Sequence, residues 1–257
     1  MLYTLKKYFY FWIHATNKHG VHSPFVYNLI TKGLNQKKNT SAFKKVQSYK
    51  KELINNQNKI KVTDFGAGSR IFKSDIRTIG SIAKNAGISS KKIKLLLKIS
   101  AYFNFETILE IGTSLGVGTY TLAIANPNAK ITTLEGCPET LNTAKKTLLK
   151  KTETPIIFIE GDFAQTLDSA LNQKYDLIYF DGNHQKDATI KYFEKCLNVA
   201  HNNSIFIFDD IYWSKGMTEA WEYIKNHQKV TVTIDLFHLG IVSFRKEQAK
   251  ENFKIRT

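Results

Sequence analysis

Cysteine is nearly missing from this 257-residue chain: Cys137 and Cys196 stand far apart, without metal-ligand spacing. Two isolated thiols exclude a disulfide scaffold and point to a reducing, intracellular compartment. Long apolar runs are missing too, since none approaches the ~20 residues needed to span a bilayer. Lys6-Lys7 followed by Tyr8-Phe9-Tyr10-Phe11-Trp12-Ile13 has a faint signal-peptide outline. Its apolar part is short and aromatic and no small-residue cleavage site follows, so the expected location is cytoplasmic. Arginine is scarce as well: only Arg70, Arg77, Arg245 and Arg256 occur, so the formal charge of +15 is almost all lysine. Lysine spread among Asn and Ile is what an AT-rich coding sequence produces. Base-edge and bidentate phosphate contacts favour Arg. A nucleic-acid partner is therefore disfavoured, though a diffuse positive field still steers anions.

What is present is globular. The hydrophobic fraction is 42% and the aromatic fraction 12%, enough for one substantial core. Residues 1 to about 60 are Lys/Asn-rich and carry no strand signals. From Thr107 onward short apolar runs alternate with helix-length segments, the rhythm of βαβ units. Strands are expected at Thr107-Ile111, Lys130-Glu135, Ile156-Glu160, Leu177-Asp181, Ser204-Asp209, Val230-Asp235 and Leu239-Phe244. Helices fill the first five gaps. Only Leu236-Phe237-His238 joins the last two strands, too short for a crossover helix, so those strands must be antiparallel. The expected fold is α/β and Rossmann-like: seven strands, mostly parallel with an antiparallel last strand, helices on both faces, and an N-terminal helical extension. The extension is assigned to 1–88, as a lid or oligomerisation segment, and the main domain to 89–257. Ser89 is placed as the N-cap of a helix running to about Tyr102. A helix over Tyr3–Ala15 is mostly aromatic; docking on its own domain or a second subunit is one reading, membrane-surface attachment another.

The first strand ends in Glu110-Ile111-Gly112-Thr113-Ser114-Leu115-Gly116-Val117-Gly118. Glycines at a strand-to-helix turn allow positive φ and close approach of a ligand to the backbone. The spacing is Gly-x-x-x-Gly-x-Gly rather than the Gly-x-Gly-x-x-Gly of dinucleotide sites. An acid two residues before the first Gly would repel a pyrophosphate but suit a cationic amine. These residues resemble motif I of class I S-adenosylmethionine (SAM)-dependent methyltransferases. The chain from about Ile93 to Phe244 resembles catechol O-methyltransferase-like and small bacterial O-methyltransferases. The resemblance implies SAM as cofactor, a methyl group transferred to oxygen, and a small-molecule acceptor. It places Glu110, Gly112, Thr113, Ser114, Gly116 and Gly118 around the aminoacyl end. It gives Glu135, with Gly136 beside it, the two ribose hydroxyls, and Asp162 and Phe163 the adenine. A carboxylate can accept from both hydroxyls of a diol, which supports the role of Glu135. Glu135 and Asp162 read equally well as ordinary helix-capping acids.

The fourth strand runs into Asp181-Gly182-Asn183-His184, and the fifth into Asp209-Asp210-Ile211-Tyr212-Trp213. In the resembled family's metal-dependent branch, acids at the positions of Asp181, Asp209 and Asp210 hold Mg²⁺. His184 falls where that branch commonly has a Lys base. Asp181 and His184 are accordingly the catalytic candidates, with Asp181 also a cofactor contact, and a divalent ion remains optional. The alternative for the Asp pair is one acid near the cofactor and one capping a turn.

Two stretches fit no assigned role. Asp64-Phe65-Gly66-Ala67-Gly68-Ser69-Arg70 reads as a lid loop or as a plain turn, and His19-Gly20-Val21-His22 as a rigid turn rather than a metal site. Two other functions compete: a SAM-binding scaffold without catalysis, and an RNA methyltransferase, for which an Asn-Pro-Pro-Tyr motif after the fourth strand is missing. A homodimer through the N-terminal helices is the preferred assembly.

Overall fold

The computed structural model describes residues 2–36, 39–63 and 74–256. The chain forms two compact units, one of residues 37–170 and one of 1–36 with 171–257. The architecture is α/β, with a mostly parallel sheet of eight strands.

In the unit of residues 37–170, Lys59–Lys61 (β1) and Ile76–Thr78 (β2) form a small antiparallel pair. Three parallel strands follow: Thr107–Ile111 (β3), Lys130–Glu135 (β4) and Ile156–Glu160 (β5), with β4 in the middle. Ile108, Leu109, Ile111, Ile131 and Leu134 are fully buried, the continuous apolar reading of strands covered on both faces. The crossovers are the helices Val117–Ala125 and Pro138–Leu148, the second opened by a proline whose missing N–H costs nothing at a first helical turn. Ser89 does cap helix Ser90–Phe103, accepting from the Lys92 N–H at 3.3 Å, and Asn104 ends it in the left-handed region at φ 53°. Helix Thr40–Ile54 is capped by Asn39 and packs on Val117–Ala125.

In the unit of 1–36 and 171–257, Leu177–Phe180 (β6) pairs in parallel with Ile205–Asp209 (β7). Val232–Asp235 (β8) and Leu239–Ser243 (β9) are antiparallel to each other, and β9 is antiparallel to β7. That is the expected consequence of a three-residue link. The expectation of seven strands needs correcting, however. Glu251–Lys254 (β10) adds an eighth strand, parallel to β8, so the antiparallel strand is not the last. Its sequence, Glu251-Asn252-Phe253-Lys254, buries only Phe253, so an edge strand this polar carries no apolar run to read.

The rings of Phe180 and Phe208 stack at 4.2 Å, and Phe206 meets Phe244 edge-on at 4.7 Å. Helices Lys186–Cys196 and Lys215–Asn226 pack on one another, the latter capped by Ser214. The N-terminal helix Leu2–His14 is tied into the same unit. Tyr3 donates to Thr218 Oγ1 at 2.8 Å, and Thr16 bridges to Ile255 beside β10. In the turn at Gly20 and Ser23 the structure shows helix caps, Asn17 accepting from His19 N–H and Ser23 capping Pro24–Asn28. Asp64–Arg70 lies outside the described residues.

One glycine in this unit is required by a neighbour. A Cβ on Gly240, within β9, would lie 2.7 Å from two ring atoms of the fully buried Trp221. An indole locked in a core cannot yield as a flexible chain end would, so Gly240→Ala is an overpacking change. We expect it to lower unfolding stability by about 1–3 kcal/mol in denaturant titrations. A loss well below that range would show that Trp221 has room to move.

Candidate active site

In the unit of residues 37–170 the strand register brings the acids into place. Glu110 pairs with Thr133 across β3 and β4, so their side chains share a face. Glu110 is completely buried, and its Oε2 accepts from Thr119 Oγ1 at 2.5 Å and Thr133 Oγ1 at 2.7 Å. Its Oε1 is buried with no hydrogen-bond partner among the described residues. Burial is the main force on this carboxyl and lifts its pKa from 4.5 to about 7, against the two threonine hydroxyls, with Glu135 adding a small upward push.

The turn after β3 is held by backbone bonds to β4: the N–H groups of Gly112 and Thr113 both donate to the Leu134 carbonyl, at 2.9 and 3.0 Å. Gly112, Ser114 and Gly116 adopt positive φ (110°, 48° and 77°). Gly116 has a second reason to lack a side chain, since a Cβ there would meet Leu148 Cδ1 at 2.7 Å. Gly118 lies buried in the first turn of helix Val117–Ala125.

Glu135 ends β4 with its carboxylate over this turn: Oε2 accepts from Ser114 N–H at 2.7 Å, Oε1 from Cys137 N–H at 2.9 Å. Gly136 lies between them in the chain and is buried. A carboxylate offers about four lone-pair sites, so two backbone bonds do not exhaust its accepting capacity. Asp162 follows β5 and caps helix Phe163–Ala170, accepting from Ala164 N–H at 2.9 Å. Phe163 is buried in the core.

Sequence reasoning missed Thr119, Thr133 and Tyr49 as supports of this turn. Thr119 and Thr133 hold Glu110, and Thr113 joins them through a 2.6 Å hydroxyl contact with Thr133. The signal was the Thr132-Thr133 pair inside an otherwise apolar buried strand. Tyr49, on helix Thr40–Ile54, donates to the Leu115 carbonyl at 2.7 Å, and burial pushes its own pKa up to about 12. Nothing in the local sequence ties Tyr49 to a turn 66 residues away. The Thr63 N–H reaches Cys137 Sγ at 3.4 Å, so the chain leaving β1 lies beside the residue that Glu135 caps.

In the other unit, Asp181, His184 and Asp209 come together, with ligand atoms all within 4.8 Å of one another. Phe180 pairs with Phe208 in the β6–β7 register, so Asp181 and Asp209 are the next residues on neighbouring strands. Asn183, at φ 49°, turns the chain so that His184 returns, and its Nδ2 lies 3.4 Å from the Tyr192 hydroxyl. Asp209 is buried, whereas Asp181 and His184 are partly exposed. Asp210 is not in this group. At φ 53° its N–H donates to the His238 carbonyl at 3.3 Å, and its own carbonyl accepts from Trp213. Tyr212 is packed rather than presented: its hydroxyl donates to Asp235, and its ring stacks on Phe237 at 5.2 Å. Trp213 is partly exposed.

Residues 109–211 match the family model described as a methyltransferase domain. This segment is similar to a methyltransferase domain. The match runs from Leu109, inside β3, to Ile211, just after β7, and so takes in both acid groups. The chain is also similar to two curated proteins. One is a release factor glutamine methyltransferase of Flavobacterium psychrophilum, 41% identical over 86 residues, covering 34% of this chain and 29% of that protein. The other is a candidate caffeoyl-CoA O-methyltransferase of Arabidopsis thaliana, 23% identical over 159 residues, covering 61% and 65%. The chain thus spans less than two thirds of either relative. Among solved structures, a methyltransferase of Podospora anserina bound to S-adenosylhomocysteine is similar in fold, with a TM-score of 0.61 at 16% identity, covering 83% of this chain and 92% of that one.

The buried Glu110 carboxyl gives a pH test. Its folded pKa lies above its unfolded one, so its contribution to stability is complete below pH 4.5 and is lost as pH rises through about 7. Unfolding free energy of the ligand-free protein should therefore fall across that window, by on the order of 1–3 kcal/mol from this group. Glu110→Gln should flatten the difference. An unchanged slope in the variant would show that Glu110 titrates normally.

Proposed function

We propose that the protein is a SAM-dependent methyltransferase that transfers a methyl group to oxygen of a small-molecule acceptor. The observation that carries this reading is the buried carboxylate oxygen of Glu110, without a donor at the foot of a glycine turn. An α-ammonium group supplies the missing donor together with a compensating charge. Bound there, SAM would contribute an electrophilic methyl on a sulfonium. Glu110 and the turn Gly112, Thr113, Ser114, Gly116 and Gly118 would hold its aminoacyl end. Glu135, flanked by Gly136, would hold the ribose hydroxyls, and Asp162 with Phe163 would face the adenine. The match to a methyltransferase domain and the S-adenosylhomocysteine in the similar Podospora anserina structure support that assignment.

Asp181, His184 and Asp209 would serve the acceptor. His184 would take the proton of the acceptor hydroxyl, with Asp181 and Asp209 close enough to stabilise the imidazolium. The carboxylates of Asp181 and Asp209, within 4.8 Å of one another, would also suit a hard divalent cation that takes oxygen ligands. Such an optional ion, Mg²⁺ by its ligand preference, would acidify the acceptor hydroxyl. Asp210, expected as a third acid of that site, lies outside the group of three. We keep residues 89–257 as the catalytic domain and 1–88 as its extension. Two buried free thiols, Cys137 and Cys196, suit a reducing compartment, so the cytoplasm remains our placement. Among the described residues no helix is long and apolar enough to cross a membrane.

Calorimetry and turnover separate the two acid groups. Glu110→Gln should weaken SAM binding by roughly tenfold or more, and wild-type affinity should rise as pH climbs through about 7. His184→Ala and Asp181→Asn should lower kcat by about 100-fold or more on phenolic or catecholic acceptors, with SAM affinity changed only a few-fold. SAM binding without turnover on such panels, with and without Mg²⁺, would favour the scaffold reading instead.

A further inference from the structure

The N-terminal helix is apolar on two faces, and only one is covered. Tyr3, Lys7, Phe11 and Ala15 follow helical spacing along the docked side, where Phe11 and Ala15 are buried. Phe11 and Tyr8 meet the ring of Phe237 at 5.5 and 4.8 Å. Leu2, Leu5, Phe9, Trp12 and Ile13 lie on the opposite arc, spaced by three and four residues, and are 71%, 58%, 65%, 55% and 56% exposed. A soluble surface does not ordinarily leave a contiguous stripe of that kind in water, so a partner is implied.

The surrounding charge says which. Lys6 lies beside the stripe, and two cations sit over its aromatic flank: Arg256 over the Trp12 ring at 5.6 Å and Lys254 over Tyr10 at 4.5 Å. The sequence has no acidic residue before Glu52, while ten lysines precede it. A second copy would bring like charges together around the apolar seam. An anionic surface with an apolar interior is complementary to both features at once.

We propose that the helix Leu2–His14 is a membrane-surface anchor: Leu2, Leu5, Phe9, Trp12 and Ile13 enter the headgroup–acyl boundary of an anionic bilayer while Lys6, Lys254 and Arg256 engage its phosphates. The inference is independent of the methyltransferase reading. Trp12 stands at the cationic border of the stripe, the level at which an amphipathic ring is most stable at an interface. The helix is 13 residues long, so it lies in the interface rather than crossing it.

The test uses the full chain with vesicles of phosphatidylcholine, alone or containing about one third phosphatidylglycerol. Co-sedimentation should show at least ~tenfold tighter binding to the anionic vesicles, weakened at about 0.5 M salt. Tryptophan emission should shift to the blue on binding, and Trp12→Phe should abolish that shift. The triple variant Leu5→Ser, Phe9→Ser, Trp12→Ser should lose binding by ~tenfold or more with an unchanged melting temperature, because all three face solvent. Lys6→Gln should cost about fivefold. Equal binding to neutral vesicles, or full binding by the triple variant, overturns the proposal. So does a dimer in solution that fails to bind vesicles and that the triple variant converts to monomer.

Discussion

A carboxylate placed inside an α/β core is the constraint around which the unit of residues 37–170 is arranged. Leaving Glu110 ionised there without help would cost several kcal/mol. Two threonine hydroxyls supply part of the compensation, and the remainder shows as a pKa near neutrality. Each hydroxyl reaches Glu110 only because another element is fixed. Thr133 depends on the β3–β4 register, and Thr119 on where the helix after the glycine turn begins. A one-residue slip of β4 would move Thr133 to the other face and take the Thr113 contact with it. The backbone bonds from Gly112 and Thr113 to Leu134, and from Ser114 to Glu135, oppose that slip. The second acid is thus placed by the same register that accommodates the first.

The unit of 1–36 and 171–257 reaches a comparable result with turns. Parallel register sets Asp181 and Asp209 side by side, and left-handed residues then decide what joins them. Asn183 at φ 49° reverses the chain and delivers His184. Asp210 at φ 53° does the opposite, bonding its N–H to the β8–β9 link while the group of three forms without it. Asn and Asp tolerate this region better than other side chains, so both reversals are cheap where they occur.

Much of the site was legible because parallel strands advertise themselves. β3, β4 and β5 fall at the expected residues, and the acids at their ends follow from where each apolar run stops. Gly116 could be read from spacing alone, since a strand-to-helix turn needs its positive φ. The supports were harder to see. Tyr49 acts on the glycine turn through a contact 66 residues away, and no periodicity encodes such a distance. β10 carries one buried side chain, too little for a pattern. The trio of Asp181, His184 and Asp209 was half legible. Adjacent strand ends predict the two acids, but the exclusion of Asp210 is set by a turn whose partner, His238, belongs to another strand link.

Averaging hides the remaining information in the composition. Lysine looks diffuse over the whole chain, and a formal charge of +15 spread that way favours no partner. Position changes its meaning. Cations at Lys6, Lys254 and Arg256 come from the two ends of the sequence, and the Thr16–Ile255 bridge brings those ends together beside one aromatic helix. That helix rests on Phe237, whose neighbour His238 accepts the Asp210 N–H. The segment joining β8 to β9 therefore touches both the docked face of the aromatic helix and the turn that follows β7. Its conformation, with Phe237 at φ 67° held by a bond from its N–H to Asp235, is specified by a buried carboxylate rather than by the link's own sequence. Asp235 in turn is occupied by Tyr212, so the helix, the link and the Asp210 turn share one packed aromatic cluster. A shift of any one of them has to be accommodated by the others.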